Sequence, residues 1–131
     1  MTRKIIIASL QLCFFFLCTP LSYSEDVFLT IDSGSGAPGS KNIPITVTLD
    51  NAADRVKGVS FQIHDRGNYL KVAGCEGIGR ASGLSCYYND KSGYATINLI
   101  SMGDVIQEGN GPILEIYFNV SEKASPGESI A

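Results

Sequence analysis

The chain has 131 residues, with 10 Lys and Arg against 13 Asp and Glu, and a formal net charge of −3. This length suits one domain, and because the basic residues form no cluster, the sequence argues against nucleic-acid and anionic-membrane partners. Trp is absent, which weakens the case for a flat sugar-binding platform built from large aromatic rings.

The first residues follow the pattern of a secretory signal peptide. Two basic residues in "MTRK" precede an apolar run that ends near Cys18, and Ser22 and Ser24 place small residues where signal peptidase reads the chain. We predict cleavage after Ser24, which assigns residues 1–24 to the signal peptide and residues 25–131 to an exported domain, extracellular or on the cell surface. The apolar run is too short for a comfortable transmembrane span, so we expect no membrane span after cleavage.

Seven short segments with alternating apolar residues follow, separated by turn residues. In chain order they are "VFLTI", "IPITVTL", "VKGVSFQIH", "YLKVAGC", "LSCYY", "YATINLI" and "PILEIYFNV". Their period of two indicates strands with one solvated face, and no segment sustains a helical period. The pattern predicts an all-β fold, an antiparallel β-sandwich or jelly roll.

The alternation also predicts where individual side chains point. Phe61 is the largest inward residue of its strand and should be buried, whereas Ile113 is placed on the outer face of the last strand. Pro44 cannot donate a ladder hydrogen bond and should lie at an edge or a bulge. Tyr87 and Tyr88 are neighbours on one strand and should point to opposite faces, so at most one of them should be exposed. The link "NDKSG" is predicted to be a hairpin turn.

Two cysteines, Cys75 and Cys86, remain once the predicted signal peptide is removed. An even pair in an exported chain predicts a disulfide, which would stabilise the fold by roughly 3 kcal/mol through loop entropy. The alternative is a metal site, but the only histidine, His64, lies far upstream and the spacing matches no zinc motif. We therefore predict a disulfide and no metal or cofactor.

The sequence carries no recognisable catalytic constellation. His64 and Asp65 are adjacent, but no G-x-S-x-G motif accompanies them, and a lone outward His on a strand is normally a surface residue or a binding contact. The Gly-rich "CEGIGRASGLSC" lacks the spacing of a phosphate-binding loop. Four acids fall in predicted loops, and we assign them neither to glycoside cleavage nor to calcium. They are Glu76, Asp90, Asp104 and Glu108. We predict a non-enzymatic protein.

The order of the segments resembles a cohesin module, the receptor half of the cohesin–dockerin pair of cellulosomes. Three stretches carry the resemblance: "GAPGSKNIPITVTLDN", "VKGVSFQIHDRGNYLKV" and "GNGPILEIYFNVSEKASPG". It covers the chain from about Val27 to its last residue, and it is similar in particular to cohesin-like domains of exported bacterial proteins, many of which carry a Cys pair in mid-domain. In that family the Pro-Gly turn leads into two further strands, so the resemblance implies that residues 25–131 are a domain whose C-terminal strands are missing.

The resemblance implies a non-catalytic binding module whose partner lies on a sheet face. The predicted partner-binding residues are Gly58, Ser60, Gln62, His64, Thr96 and Asn98. Cohesins commonly carry an Asn and an Asp on their third strand that hydrogen-bond the dockerin, whereas Gly58 and Ser60 stand at the matching positions here. Because that replacement removes charge-assisted hydrogen bonds, the fold carries over better than the dockerin specificity.

Two kinds of partner follow from this interpretation. A dockerin-like protein would tether polysaccharide-degrading enzymes to the exported domain. The alternative is a polysaccharide, bound by a carbohydrate-binding module of the same sandwich architecture, because fold alone does not separate the two. The candidate stacking residues for a sugar are Tyr69, Tyr87, Tyr88, Tyr94 and Tyr117.

Overall fold

The computed structural model describes residues 3–5 and 27–127. Within these ranges the chain forms nine strands and one short 3-10 helix, Gly79–Ala81. The strands are β1 (Arg3–Ile5), β2 (Phe28–Ile31), β3 (Gly34–Gly36), β4 (Ile43–Asn51), β5 (Gly58–His64), β6 (Leu70–Gly77), β7 (Ser85–Lys91), β8 (Tyr94–Ile100) and β9 (Gly109–Val120). Apart from β1, the predicted signal peptide and its cleavage point lie outside the described residues.

Two antiparallel sheets pack face to face. The first has four strands in the order β2-β4-β9-β6, and the second has three strands in the order β5-β8-β7. A separate two-stranded ribbon pairs β1 with β3. Apart from the hairpin of β7 and β8, strands that follow each other in the chain lie in different sheets. The predicted antiparallel β-sandwich is therefore confirmed.

The core lies between the sheets and follows the predicted alternation. On β4 every second residue from Ile43 to Leu49 is buried, and on β8 the same holds for Ala95, Ile97 and Leu99. Phe61 on β5 is only 2% exposed, which confirms the inward register of its strand. Each large apolar side chain buried in this way contributes roughly 1.5–3 kcal/mol relative to an exposed one.

The prediction that Ile113 faces outward is wrong. The pairing of β4 with β9 joins Val47 to Leu114 but Thr48 to Pro112, so Ile113 is an extra residue at a β-bulge. Ile113 and Leu114 are both fully buried, and the Ile113 carbonyl accepts a hydrogen bond from the Ile78 N–H at 2.8 Å. A bulge breaks the period of two locally, which is why simple alternation misplaces this side chain.

The prediction that only one of Tyr87 and Tyr88 is exposed is also wrong. The two rings do point to opposite sides of β7, because Tyr88 pairs with the buried Ile97 and Tyr87 with Asn98. Both are exposed, however, at 55% for Tyr87 and 43% for Tyr88. β7 is an edge strand, so its inward side is only partly covered by the opposite sheet.

Pro44 lies where β4 has a partner on one side only. β2 pairs with β4 from Val47 to Asp50, and Pro44 lies before that stretch, opposite Tyr117 of β9. Its missing N–H therefore leaves no gap in the described ladders, and the predicted edge position is confirmed.

Three links join β6 to the three-stranded sheet. Cys75 and Cys86 form the predicted disulfide, with 5.8 Å between their Cα atoms. The Leu70 N–H donates to Asp65 Oδ2 at 2.7 Å, and the Val72 N–H donates to Asp90 Oδ2 at 3.3 Å. The side chain of Asp90 on β7 and that of Asp65, which directly follows β5, thus accept hydrogen bonds from the edge of the other sheet. Asp90 is part of β7 and Glu76 part of β6, so neither is the loop acid that the sequence predicts.

One end of the sandwich is fixed by Arg80 from the 3-10 helix. Its guanidinium donates to Asn51 Oδ1 at 2.7 Å and to the Leu49 carbonyl at 2.8 Å, and it also donates to the Gln107 carbonyl. Asn51 is fully buried, and its amide donates in turn to the carbonyls of Asp54 and Gln107. The Gly-rich segment thus anchors neighbouring parts of the chain through charge-assisted hydrogen bonds.

Candidate protein-binding face

The pairing of β5 with β8 brings the six predicted site residues onto one surface. Ser60 pairs with Asn98 and Gln62 with Thr96, while Gly58 pairs with Ile100 and His64 with Tyr94. The residues between them on each strand are buried, so the paired set points away from the core. All six predicted residues therefore lie on the outer side of the three-stranded sheet.

β7 adds a third row of side chains, of which the sequence reasoning named only Tyr87, as a candidate for sugar stacking. Tyr87 pairs with Asn98, Asn89 with Thr96, and Lys91 with Tyr94. The sequence predicts a hairpin turn over "NDKSG", but the strand continues through Lys91 and the turn is confined to Ser92 and Gly93. The positive φ of Gly93, 87°, fits such a tight turn. Tyr87, Asn89 and Lys91 occupy every second position, and this spacing was the sequence signal that could have revealed the third row.

We call the outer side of this sheet the β5–β8–β7 face. Its members are the outward residues of three neighbouring strands. They are Gly58, Ser60, Gln62, His64, Ser85, Tyr87, Asn89, Lys91, Tyr94, Thr96, Asn98 and Ile100. Most carry a hydroxyl, an amide or an aromatic ring, and none is Asp or Glu. The surface offers hydrogen-bond donors and acceptors on a sheet, an arrangement suited to another protein surface.

Two contacts fix side chains within the β5–β8–β7 face. The Ser60 hydroxyl donates to Asn98 Oδ1 at 2.7 Å, in the middle rows of the face. At one end the rings of His64 and Tyr94 stack with 5.8 Å between their centroids and an angle of 26° between their planes. Side chains that are already held lose less rotamer entropy when a partner binds, which favours association.

The outer side of the four-stranded sheet has a different character. Glu76 of β6 pairs directly with Glu115 of β9, and the Tyr117 hydroxyl donates to Glu76 Oε1 at 2.8 Å. That hydrogen bond, together with partial desolvation and the nearby charge of Glu115, raises the pKa of Tyr117 to about 12. Negative charge is therefore concentrated on this side and absent from the residues of the β5–β8–β7 face.

Metal binding and membrane crossing find no support among the described residues. Among residues 27–127 no group of three or more His, Cys, Asp or Glu could hold a metal ion. A small pocket near the edge where β6 meets β7 is lined in part by Asp65, Asp90 and Tyr94, but each carboxylate there already accepts a backbone N–H of β6. None of the helical segments that the structure describes has the length and apolar character needed to cross a membrane.

The fold is similar to those of solved cohesin structures. It matches the third cohesin of ScaC from Acetivibrio cellulolyticus, solved in complex with the ScaB dockerin, at 25% identity and a TM-score of 0.54, covering 70% of this chain and 68% of that one. It also matches the OlpA cohesin of Clostridium thermocellum, solved in complex with Doc918, at 19% identity and a TM-score of 0.59, covering 82% and 84% of the two chains. The chain contains a cohesin-like domain.

A third similarity is to a non-cellulosomal cohesin of the hyperthermophilic archaeon Archaeoglobus fulgidus, at 18% identity and a TM-score of 0.50. That match covers 65% of this chain and 59% of the archaeal one, so the cohesin-like domain spans less than two thirds of that neighbour. No protein-family model and no curated protein matches the sequence. The similarity to cohesins therefore rests on the arrangement of strands.

Proposed function

We propose that this chain is an exported, non-catalytic binding module whose β5–β8–β7 face docks a protein of dockerin type. The observation that carries the proposal is the register of β5, β8 and β7, which gathers Ser60, Gln62, Thr96 and Asn98 into the middle of one surface. The cohesins with similar folds from Acetivibrio and Clostridium are themselves bound to dockerins. A shared fold alone does not give a shared partner, so the proposal depends on this surface.

The biological setting is part of the same proposal. The disulfide between Cys75 and Cys86 suits an oxidising compartment outside the cytosol, and the first 24 residues carry the signal-peptide pattern. A partner with a dockerin would attach enzymes to this module, and polysaccharide degradation is the setting in which such attachment is useful. The module itself would contribute binding and no chemistry.

A pair of matched Thr→Arg variants tests the docking face. Thr96 and Thr48 both lie on central strands, both point outward and both are half-buried, but they lie on opposite sides of the sandwich. We expect Thr96→Arg to abolish capture of dockerin modules from the same genome, and Thr48→Arg to leave it unchanged. Titration calorimetry against each dockerin gives the affinity.

Three outcomes of this test would count against the proposal. Equal loss in both variants would indicate a general folding defect, which thermal unfolding of each variant would reveal. Equal retention would move the binding surface elsewhere. If no dockerin binds the parent protein, the dockerin assignment is wrong. If a different protein binds the parent and is lost only in Thr96→Arg, the docking face is still supported.

The carbohydrate-binding alternative has one specific observation in its favour. Tyr87 and Tyr94 both belong to the β5–β8–β7 face, and Tyr87 is 55% exposed, so a ring is available for stacking on a sugar. A panel of insoluble polysaccharides with Tyr87→Ala and the matched Tyr88→Ala tests it. Retention on a polysaccharide that is lost only in Tyr87→Ala would favour a carbohydrate-binding module over a dockerin receptor.

A further inference from the structure

The two ends of the β5–β8–β7 face differ in chemistry. The row at one end consists of Gly58, Ile100 and Ser85, and the row at the other end consists of His64, Tyr94 and Lys91. The rows between them are neutral and polar. Six residues of extended strand separate the two end rows, a distance of roughly 20 Å.

The first end is apolar and open. Ile100 is 44% exposed, and Met102, two residues further along the chain, is 79% exposed. Gly58, opposite Ile100, supplies no side chain to cover it, and a Cβ at that position would lie 2.8 Å from the Leu99 carbonyl oxygen. The backbone therefore keeps residue 58 small, and the flank of Ile100 remains accessible to an apolar group of a partner.

The second end carries the one formally charged side chain of the face, Lys91. Lys91 is exposed, and the exposed His64 ring is held against Tyr94. The acids that follow His64 and precede Lys91 in the chain are directed elsewhere, because Asp65 and Asp90 both accept backbone N–H groups of β6. A chain with a net charge of −3 thus presents a local positive end on an otherwise uncharged surface.

We propose that the partner lies along the β5–β8–β7 face in one direction, with an apolar side chain over Ile100 and a carboxylate beside Lys91 and His64. This inference rests on the proposed function, because it specifies the chemistry of a protein segment docked on that face. Unlike groups at the two ends favour one orientation over its reverse, since reversal would place a carboxylate on Ile100 and an apolar group on Lys91. The positive end would also attract an acidic partner that the rest of this acidic chain repels.

Paramagnetic relaxation measurements on the isotope-labelled protein test the direction. The probe is a helical peptide of about 14 residues, long enough to span about 20 Å, with Leu and Met near one end, a pair of Glu near the other, and a nitroxide label attached at either end in turn. We expect the label at the acidic end to broaden the amide signals of His64, Lys91 and Tyr94. The label at the apolar end should broaden those of Gly58 and Ile100.

Matched charge reversals provide a second measurement. Lys91 and Lys71 are both exposed and both lie on edge strands, but Lys71 belongs to the four-stranded sheet. We expect Lys91→Glu to weaken peptide binding about threefold or more and Lys71→Glu to leave it nearly unchanged. The difference should shrink in high salt, because added ions screen exposed charges.

The outcomes separate this inference from the proposed function. Shift changes confined to the β5–β8–β7 face, with broadening that ignores or reverses the label position, would overturn the direction and leave the docking face intact. Equal effects of Lys91→Glu and Lys71→Glu would overturn the role of the positive end. Absence of peptide binding at millimolar concentration would overturn the stated partner chemistry. The proposed function would still be tested separately, by dockerin capture.

Discussion

The two long sides of the sandwich are closed by different means. On one side the edge strands β6 and β7 are joined by the disulfide, and the carboxylates of Asp65 and Asp90 accept hydrogen bonds from β6. On the other side, within residues 27–127, β2 and β5 each pair with a neighbour along one edge only. Within these residues the fold thus combines an edge protected by side chains with an edge that pairs with no further strand.

Strand length accounts for part of this difference. β6 has eight residues and β2 has four, so β6 would present the longer row of unpaired backbone groups if nothing covered it. A short edge strand is itself a protection against unwanted pairing. β5, with seven residues, has neither protection within residues 27–127, and it borders the surface that we propose for docking.

Removal of the disulfide should be the change that most destabilises the side closed by β6 and β7. The Cys75→Ser/Cys86→Ser double variant should lose about 3 kcal/mol of unfolding free energy, because the unfolded chain is no longer constrained across this loop. Urea unfolding of both proteins under non-reducing conditions measures the loss. Adding reductant to the parent should reproduce it. A double variant as stable as the parent would show that the carboxylate contacts alone close this side.

The acceptor at Asp65 should come next in size. Asp65→Ala removes the partner of the buried Leu70 N–H and should cost about 1–3 kcal/mol, the range for a buried donor left without an acceptor. Asp65→Asn keeps a side-chain oxygen and should recover most of the loss, while Asp104→Ala, an exposed acid in a loop, serves as the control. Equal losses in the Ala and Asn variants would mean that charge, and not the hydrogen bond, matters at Asp65.

The features of this closed side show what local sequence can predict. The pairing of Cys75 with Cys86 followed from counting cysteines in a chain predicted to be exported, and the inward position of Phe61 followed from the period of two. The contact from Asp90 to Val72 could not be predicted, because it joins two sheets whose relative position is set by the whole fold. The exposure of Tyr88 was missed for the same reason, since alternation gives a direction but not the coverage at an edge.

The β5–β8–β7 face shows the same limit. The six predicted residues lie on one surface because the alternation along β5 and β8 assigns each residue to a face even where the ends of the strands are misjudged. Asn89 and Lys91 of the third row were missed because the turn after Lys91 is shorter than the composition of "NDKSG" suggested. Ile113 was misplaced because its bulge depends on how β4 pairs with β9, two strands separated by most of the domain.

The open side offers a test with a small expected effect on stability. Phe28 on β2 is 57% exposed, so Phe28→Ser should change the unfolding free energy by no more than about 0.5 kcal/mol, as is usual for exposed positions. Thermal unfolding of this variant beside Phe61→Ala, where loss of a buried ring should cost about 3–5 kcal/mol, gives the contrast. A large loss for Phe28→Ser would indicate that this side is covered in solution.

The smallest effect on folding is expected from Tyr117, on the acidic outer side of the four-stranded sheet. Its hydrogen bond to Glu76, followed by desolvation and the charge of Glu115, raises its pKa to about 12 from the usual value of 10.0. A raised pKa favours the protonated phenol in the folded state, so the linked stability is fully present below pH 10 and is lost as the pH rises through about 12.

Alkaline difference absorbance between the parent and Tyr117→Phe isolates this tyrosine. Glu76→Gln should lower its midpoint, because the amide removes the charged acceptor and its field. An unchanged midpoint in Glu76→Gln would assign the shift to Glu115 and desolvation, and the contrast between an acidic and an acid-free sheet face would then rest on Glu115.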